Sequence, residues 1–429
     1  MINKSKWIGF IIFISLLSCT ENEKQDSTGN NKNEDGDQNE SIIGKTLPAW
    51  EDGYLDIHAI NTGRGESALL ILPDGTTMLI DAAGSLISPT AEIPPPPQKP
   101  NVNVSPGLTI TNYIKKFIKT ASNKLNYIML SHFHPDHMGS YDTDLPLNPS
   151  GGFRIGGVTE VGANIAFDKI IDRGYPDYDF PTDMTSDPMM ANYIKFIEWA
   201  KDSYGATAER FNVGEVGQIV LKQNPLKYSN FQIRNIAANG KVWTGTGTEI
   251  RNTLPEGEDL LSANPPENIF SIGLVLSYGK FDYFTAGDLQ YNGRSTDYWK
   301  DMEAPVAKVV ASVDVMKANH HGTANCNGDE LLQSLKPNVV VTHTWRDIHP
   351  NPETLGRIYN AQSSSKVFTT NLTFDNRQRL GAYLSKIKST QGHIVVRVEP
   401  GGGKYSIYIL DDSNQNYKVT QFFGPYESN

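Results

Sequence analysis

The chain has 429 residues, 38% of them hydrophobic and 10% aromatic, which is enough for one large domain or two ordinary ones. Its formal net charge is -10 at pH 7. Tight, sequence-independent binding of nucleic acid relies on Lys and Arg to neutralise phosphates, so an acidic chain is poorly suited to it. We therefore expect no stable nucleic-acid complex.

The N-terminal 19 residues have the pattern of an export signal. Lys4 and Lys6 precede an apolar run at 7–17, which is too short to span a bilayer comfortably, and Cys19 follows shortly after. The segment resembles a bacterial lipoprotein signal, in which Cys19 would be lipidated. An uncleaved anchor or an ordinary secretory signal is the alternative interpretation.

Composition changes sharply after this segment. Residues 20–46 are almost wholly polar or acidic and cannot bury enough apolar surface to order themselves, so we predict a disordered tether. The folded domain is predicted over residues 47–429. These features predict a protein of the cell envelope that is lipid-anchored to a bacterial membrane and faces the periplasm or the cell surface.

Strand and helix patterns alternate along the rest of the chain. Helices are predicted at 108–122 and 189–204. Residues 141–230 are rich in Gly and Pro, and we expect them to be a loop insertion that shapes a substrate pocket. The alternation favours an α/β (α+β) fold with sheets covered by helices. Strands are predicted at 54–60, 67–72, 77–81, 127–130, 231–237, 272–277, 281–285, 313–318, 339–342, 393–398 and 404–411.

A cluster of imidazoles and a carboxylate follows the predicted strand at 127–130. The sequence there contains His132, His134, Asp136 and His137, so three of the nine histidines lie within six residues. Neutral imidazole and carboxylate suit zinc, and also manganese or iron. The pattern predicts a metal site on a loop held by a rigid sheet, with an incidental polar turn as the alternative.

Other strand ends carry further candidate ligands. Asp288 follows Gly287 directly after a strand and could bridge two cations, although Asp is also common as a helix N-cap. One residue of the pair His320 and His321 is expected to complete the site, and we favour His320. Asp81 could orient a metal-bound histidine, or it could simply stabilise a turn.

Several short motifs together resemble the metallo-β-lactamase superfamily of hydrolases. Thr62-Gly63-Arg64-Gly65-Glu66-Ser67 and His349-Pro350 narrow the resemblance to the ComEC/Rec2-type nuclease domain of competence proteins and to phosphorylcholine esterases. The resemblance covers roughly residues 54–410. The superfamily motifs, in chain order, are Asp81-Ala82-Ala83-Gly84, His132-x-His134-x-Asp136-His137, Gly287-Asp288 and His320-His321-Gly322-Thr323.

The resemblance implies an αββα sandwich with two divalent metal ions, zinc or alternatively manganese, at one edge. The chain departs from many members of the family because it has no histidine between His137 and His320, and we take Asp172 as the candidate replacement. The implied ligands are His132 and His134 for one metal, Asp136, His137 and one of His320 and His321 for the other, and Asp288 as the bridge.

The function implied is hydrolysis of a phosphodiester, or of another envelope substrate, by a metal-activated water. Asp136 would orient the nucleophile, while His343 or His349 would stabilise developing charge or protonate the leaving group. Hydrolysis of a C–N or C–O bond, as in a β-lactam, lactone or ester, is an alternative. A non-catalytic surface lipoprotein that binds glycans or a protein partner is another.

Overall fold

Two large β-sheets face each other at the centre of the molecule. The computed structural model describes residues 42–86, 95–118, 124–292 and 298–429. Cys19, the rest of the predicted export signal and most of the predicted tether lie outside these ranges. The first sheet contains β1 (Leu55–Ala59), β2 (Ala68–Ile71), β3 (Thr77–Ile80), β4 (Leu125–Met129), β5 (Phe167–Asp172), β6 (Thr207–Arg210), β16 (His393–Val398), β17 (Lys404–Leu410) and β18 (Val419–Glu427).

The second sheet has the same number of described strands. Its strands are β7 (Phe231–Ala238), β8 (Lys241–Trp243), β9 (Ile250–Asn252), β10 (Gly273–Tyr278), β11 (Phe281–Thr285), β12 (Val315–Lys317), β13 (Val339–Thr342), β14 (Lys366–Thr369) and β15 (Ile387–Ser389). Each sheet has nine described strands, in the orders β18-β17-β16-β1-β2-β3-β4-β5-β6 and β15-β14-β13-β12-β11-β10-β7-β8-β9. Strands β3 to β6 run parallel to one another, and so do β11 to β15.

Helices connect the parallel strands, and four of them begin at a capping side chain, Ser105, Asp187, Asn351 or Thr373. The Asp187 side chain, for example, accepts from the backbone N–H groups of Met189 and Met190, and Pro188 occupies the first turn, where no N–H partner is needed. The described α-helices are α1 (Pro106–Phe117), α2 (Pro135–Met138), α3 (Val158–Asn164), α4 (Pro188–Tyr204), α5 (Glu258–Ser262), α6 (Glu303–Ala307), α7 (Asp329–Leu335), α8 (Pro352–Ala361) and α9 (Phe374–Leu380).

Three apolar cores give the order of the layers. One core contains inward side chains of both sheets, such as Met129 and Val315. A second packs helices α1, α3 and α4 against the outer face of the first sheet, and a third packs α6, α7 and α8 against the outer face of the second. The fold is therefore a helix–sheet–sheet–helix sandwich, as the sequence predicts.

The region 141–230 differs from its prediction as a substrate-shaping loop insertion. It contains α3, β5, α4 and β6, so much of it builds the sandwich itself. The two strands escaped the sequence analysis because they are short and charged residues interrupt them, as at Asp168 and Lys169. The end of the predicted tether also joins the fold: Gly44 N–H donates to Val419 O, and Val419 N–H donates to Lys45 O.

The remaining predicted elements lie close to the observed ones. Helix α4 begins one residue before its prediction, and α1 ends at Phe117, with 119–123 outside the described residues. Within the described ranges, no helix has both the length and the apolar character required to cross a membrane.

Candidate metal centre

The loops that follow parallel strands of both sheets meet at one edge of the sandwich. Because the carboxyl ends of parallel strands lie at the same edge of a sheet, β3 and β4 bring Asp81 and the His132–His137 loop together, while β11 and β12 present Asp288 and the His320-His321 turn. The backbone N–H of Ile272 donates to Ser131 O across the sheets at 2.9 Å. The candidate centre therefore draws on both sheets.

Asp288 is the common neighbour of four imidazoles. Its Oδ1 lies 3.2 Å from His137 Nε2. Its Oδ2 lies 3.8 Å from His132 Nε2 and 3.7 Å from the Nε2 atoms of both His320 and His321. A buried carboxylate whose two oxygens face different sets of imidazoles can contact more than one cation.

Unsatisfied atoms at this point match the requirements of a metal ion. Asp288 Oδ1 and His137 Nε2 are buried and lie 3.2 Å apart, but neither has a hydrogen bond of good geometry within the described part of the chain. Buried polar atoms normally have partners, so these two call for a ligand. Ligand atoms of Glu66, His137, Asp288 and His321 all lie within 4.8 Å of one another. Carboxylate and imidazole ligands at this spacing fit a divalent cation.

Close backbone packing holds the two loops in register. Gly287 has a φ of 49°, and a Cβ at this position would lie 2.9 Å from the Cβ of Ser131. A Cβ on Gly65 would lie 2.0 Å from the backbone O of Asp136. Only glycine allows these approaches, which bring Glu66 and Asp288 up to the histidine loop.

Hydrogen bonds on the far side of two imidazoles orient them. Asp81 Oδ2 lies 2.8 Å from His137 Nδ1, and Ser131 donates to Asp81 through both its backbone N–H and its hydroxyl. His321 Nδ1 donates to the carbonyl of His343 at 3.0 Å. The Nε2 atoms of His137 and His321 are thereby left facing Asp288.

The electrostatics keep the carboxylates charged and one central imidazole neutral. Burial alone would raise the pKa of Asp288 and Asp136, but the protonated His137 imidazole lowers both pKa values below the usual range. These carboxylates in turn outweigh the effect of burial on His137 and raise its pKa well above the usual value. Burial, reinforced by His137, lowers the pKa of His132 well below its usual value. Because ionised carboxylates and neutral imidazoles are the forms that bind metals, binding through His137 would release its proton.

The other predicted residues of the histidine loop also lie at the centre. Asp136 Oδ2 is 3.0 Å from His321 Nε2 and 3.7 Å from His137 Nε2. His134 Nδ1 is 3.1 Å from His132 Nε2, on the more exposed side. Both His320 and His321 reach Asp288, whereas the sequence analysis favoured His320 alone.

Asp172, the predicted replacement for the missing histidine, is not brought into this cluster. Its Oδ1 accepts from the backbone N–H groups of Gly174 and Tyr175, and its Oδ2 accepts from the hydroxyls of Tyr178 and Tyr193. With both oxygens already engaged by four donors, Asp172 stabilises its own loop. The sequence places a carboxylate at this strand end but cannot show which way it turns.

The two later histidine candidates occupy different positions. The ring of His349 stacks on that of His321, with centroids 4.7 Å apart, and faces the cleft above the centre. His343 is buried behind the centre, where its Nε2 lies 3.2 Å from the carbonyl of Ser67. Only His349 is therefore placed to meet a substrate.

Two charged residues of the centre were missed as site residues in the sequence analysis. Glu66 lies in the loop between β1 and β2, and Lys317 Nζ lies 2.8 Å from its Oε2. Lys317 interrupts the otherwise apolar run from Val315 to Ala318, which is the signal that could have identified it. Glu66 was visible only as part of a glycine-rich turn.

A cleft of about 630 Å³ opens above these ligands. Besides the ligands, its lining residues provide hydrogen-bonding groups, one indole and one guanidinium. None of its lining residues comes from the 141–230 region. The residues that line the cleft include His134, Asp136, Asn268, Asp288, His320, His321, Thr323, Asn325, Trp345, Arg346 and His349.

Comparisons with known proteins add little to this geometry. No protein-family model matches the sequence, and no curated protein matches it. Among solved structures, the chain is similar to one from Parabacteroides distasonis ATCC 8503 that carries the name "putative metal-dependent hydrolase". The identity is 14% and the TM-score 0.34, over 74% of this chain and 94% of that one.

Proposed function

We propose that the protein is a metal-dependent hydrolase of the metallo-β-lactamase type, and that its substrate is a phosphodiester. The observation that carries the proposal is the environment of Asp288, whose carboxylate is faced by four imidazoles and has a buried oxygen without a hydrogen-bond partner within the described residues. A purely structural carboxylate would have its oxygens satisfied, as Asp172 does.

The geometry supports two adjacent metal positions that share Asp288. His320 Nε2 lies as close to Asp288 Oδ2 as His321 Nε2 does, at 3.7 Å. On this proposal His320 replaces the histidine that the chain lacks between His137 and His320. The first position would then have His132, His134 and His320, and the second Asp136, His137 and His321.

Divalent ions bound here, zinc or manganese, would lower the pKa of water and offset charge on a phosphoryl group. Asp136 lies 3.0 Å from His321 and faces the cleft, so it is placed to orient a water. His349 lines the cleft, and burial lowers the pKa of His349 well below its usual value. A neutral imidazole at this position can donate a hydrogen bond to a departing oxygen.

The cleft lining supports an anionic substrate. Arg346 is the one Lys or Arg among the residues that line the described cleft, and it lies beside the indole of Trp345, 5.8 Å from the ring centroid. A guanidinium and a flat aromatic face suit an anionic group attached to an apolar or ring-shaped body. Phosphodiesters of the cell envelope have this chemistry, and the N-terminal pattern ending at Cys19 supports anchoring the enzyme there.

The test measures metal content and turnover on one preparation of the full chain in detergent, loaded with zinc or manganese. The substrates are bis-p-nitrophenyl phosphate, p-nitrophenylphosphorylcholine, a chromogenic cephalosporin and a simple lactone. We expect about two metals per chain and cleavage of at least one of the phosphodiesters. Metal without phosphodiesterase activity would shift the assignment to C–N or C–O hydrolysis. Absence of metal would favour the non-catalytic surface protein.

A variant of the bridging carboxylate sharpens this test. Asp288→Ala should lose both turnover and bound metal while keeping the circular dichroism of the parent. Asp172→Asn is the matched control, because it also alters a buried carboxylate at a strand end and should retain the metal. Parental metal content in Asp288→Ala would contradict the proposed bridge.

A further inference from the structure

A buried lysine lies directly beside the metal ligands. The side chain of Lys317 is 1% exposed, and its Nζ lies 2.8 Å from Glu66 Oε2 and 3.9 Å from Asp288 Oδ1. It also donates to the backbone carbonyl of Gly287 at 2.5 Å. A fixed positive charge is unexpected at a site that must attract cations, because like charges in a buried site repel strongly.

Glu66 is held between this lysine and two buried histidines, one of which is the proposed ligand His321. Its Oε2 lies 3.8 Å from His321 Nδ1 and 3.9 Å from His343 Nδ1, and it belongs to the set of atoms close enough to share one metal. The buried Lys317 ammonium at 2.8 Å pairs with Glu66 as a carboxylate. Glu66 therefore has the charge and the position of a ligand, and Lys317 competes for the same oxygen.

We propose that Lys317 is a positioning residue that holds the Glu66 carboxylate out of the metal ligand set. The ion pair keeps one coordination position open for water or substrate, as catalytic sites require and structural sites do not. This inference rests on the proposed metal centre but is independent of the substrate.

The proposal predicts whether each substitution strengthens or weakens zinc binding. Lys317→Met removes a repulsive charge and releases Glu66 to coordinate, so zinc should bind more tightly and turnover should fall. Glu66→Gln removes a negative charge and leaves Lys317 unpaired beside Asp288, so zinc should bind more weakly. The double variant Glu66→Gln/Lys317→Met removes both charges and should bind zinc with an affinity between those of the two single variants.

The experiment measures the zinc dissociation constant of the full chain by chelator competition, together with the absorption spectrum of the cobalt-substituted protein. Changes near residues that contact metal ligands typically alter affinity by about 10- to 100-fold. We expect zinc affinity to increase by about 10- to 100-fold in Lys317→Met and to decrease by a similar factor in Glu66→Gln. The cobalt spectrum of Lys317→Met should show an added ligand. Lys317→Arg retains the cation and should leave the spectrum unchanged.

A second buried ion pair provides the control. Arg397 donates to both oxygens of Asp56 in the first sheet, and neither residue belongs to the metal cluster. Arg397→Met should lower the free energy of unfolding without changing the zinc dissociation constant. If Lys317→Met behaved in the same way, with unchanged zinc affinity and cobalt spectrum, Lys317 would be merely structural and the proposal would be overturned.

The experiment remains decisive if Lys317→Met fails to fold or if the parent chain binds no metal. If Lys317→Met does not fold, the double variant should still bind zinc about tenfold or more tightly than Glu66→Gln, because the repulsive charge is gone. Equal affinities of these two proteins would overturn the proposal. If the parent chain itself binds no zinc or cobalt, the metal centre fails, and this inference fails with it.

Discussion

Asp81 illustrates how a single side chain beyond the ligand set can determine metal binding. It follows β3 with a φ of 59°, a strained conformation for a residue other than glycine, and its carboxylate holds both Ser131 and His137. The fixed imidazole of His137 then presents its Nε2 to Asp288. The sequence suggests this role because Asp81 ends a strand. The sequence alone does not distinguish an Asp that orients a histidine from an Asp that only stabilises a turn.

Asp81→Asn should weaken zinc binding by about 10- to 100-fold, since an amide is a poorer acceptor and no longer supports the imidazole of His137 electrostatically. Chelator competition measures the effect, and turnover should fall only at limiting metal. A zinc affinity equal to that of the parent would show that Asp81 serves the turn alone.

Asp172→Asn should give the opposite pattern. This carboxylate accepts four hydrogen bonds in its own loop, so we expect a loss of about 1–3 kcal/mol in the free energy of unfolding. Urea denaturation measures that loss, and the zinc affinity should not change. A selective loss of zinc would restore Asp172 as a ligand.

The turn that carries His320 and His321 is the element most dependent on its surroundings. Both histidines have positive φ values, 46° and 54°, which cost energy in residues with a side chain. Glu303 supports the turn, because it accepts from the Asn319 side chain and from the backbone N–H groups of Asn327 and Gly328. Helix α6 thus stabilises a conformation that the local sequence would not adopt alone.

This support should depend on pH. Burial raises the pKa of Glu303 to about 7, from an ordinary value of 4.5. Between those values the folded state binds more protons than the unfolded state, so this group's contribution to stability declines as the pH rises towards 7. In metal-free protein, the stability of the parent relative to Glu303→Gln should therefore be greater at pH 5 than at pH 8. Urea denaturation at the two pH values measures this, and an unchanged or reversed difference would contradict it.

At the scale of the whole molecule, the proposed metal ligands come from both sheets. His137 follows β4 in the first sheet, whereas Asp288 and His321 follow β11 and β12 in the second. A metal bound by all three would oppose separation of the sheets. Binding to the folded state alone stabilises it by about 2.7 kcal/mol when the free metal is 100 times the dissociation constant.

Removal of the metal should therefore lower the thermal midpoint by several degrees. Differential scanning calorimetry with zinc, with EDTA and with zinc restored measures the shift, which should be reversible. Asp288→Ala should show almost no shift on addition of EDTA. A midpoint independent of metal in the parent protein would mean that the folded chain does not bind the metal.

The sequence predicts this architecture well where single elements carry the information. Apolar strands such as β11 and β13, and the histidine loop after β4, are visible because pattern and chemistry coincide over a few residues. The pairing of Glu66 with Lys317 is not visible, because it joins distant segments through the packing of two sheets. The side-chain direction of Asp172 is hidden for the same reason.

The position of β1 has a consequence for how the chain reaches this fold. Leu55 on β1 pairs with Val398 on β16, so the first strand lies between its neighbour β2 and a strand from near the end of the chain. During synthesis β1 has an unpaired, apolar edge until β16 is available. We therefore expect folding to be completed only after β16 is made, and a chain truncated before β16 should expose this edge and aggregate.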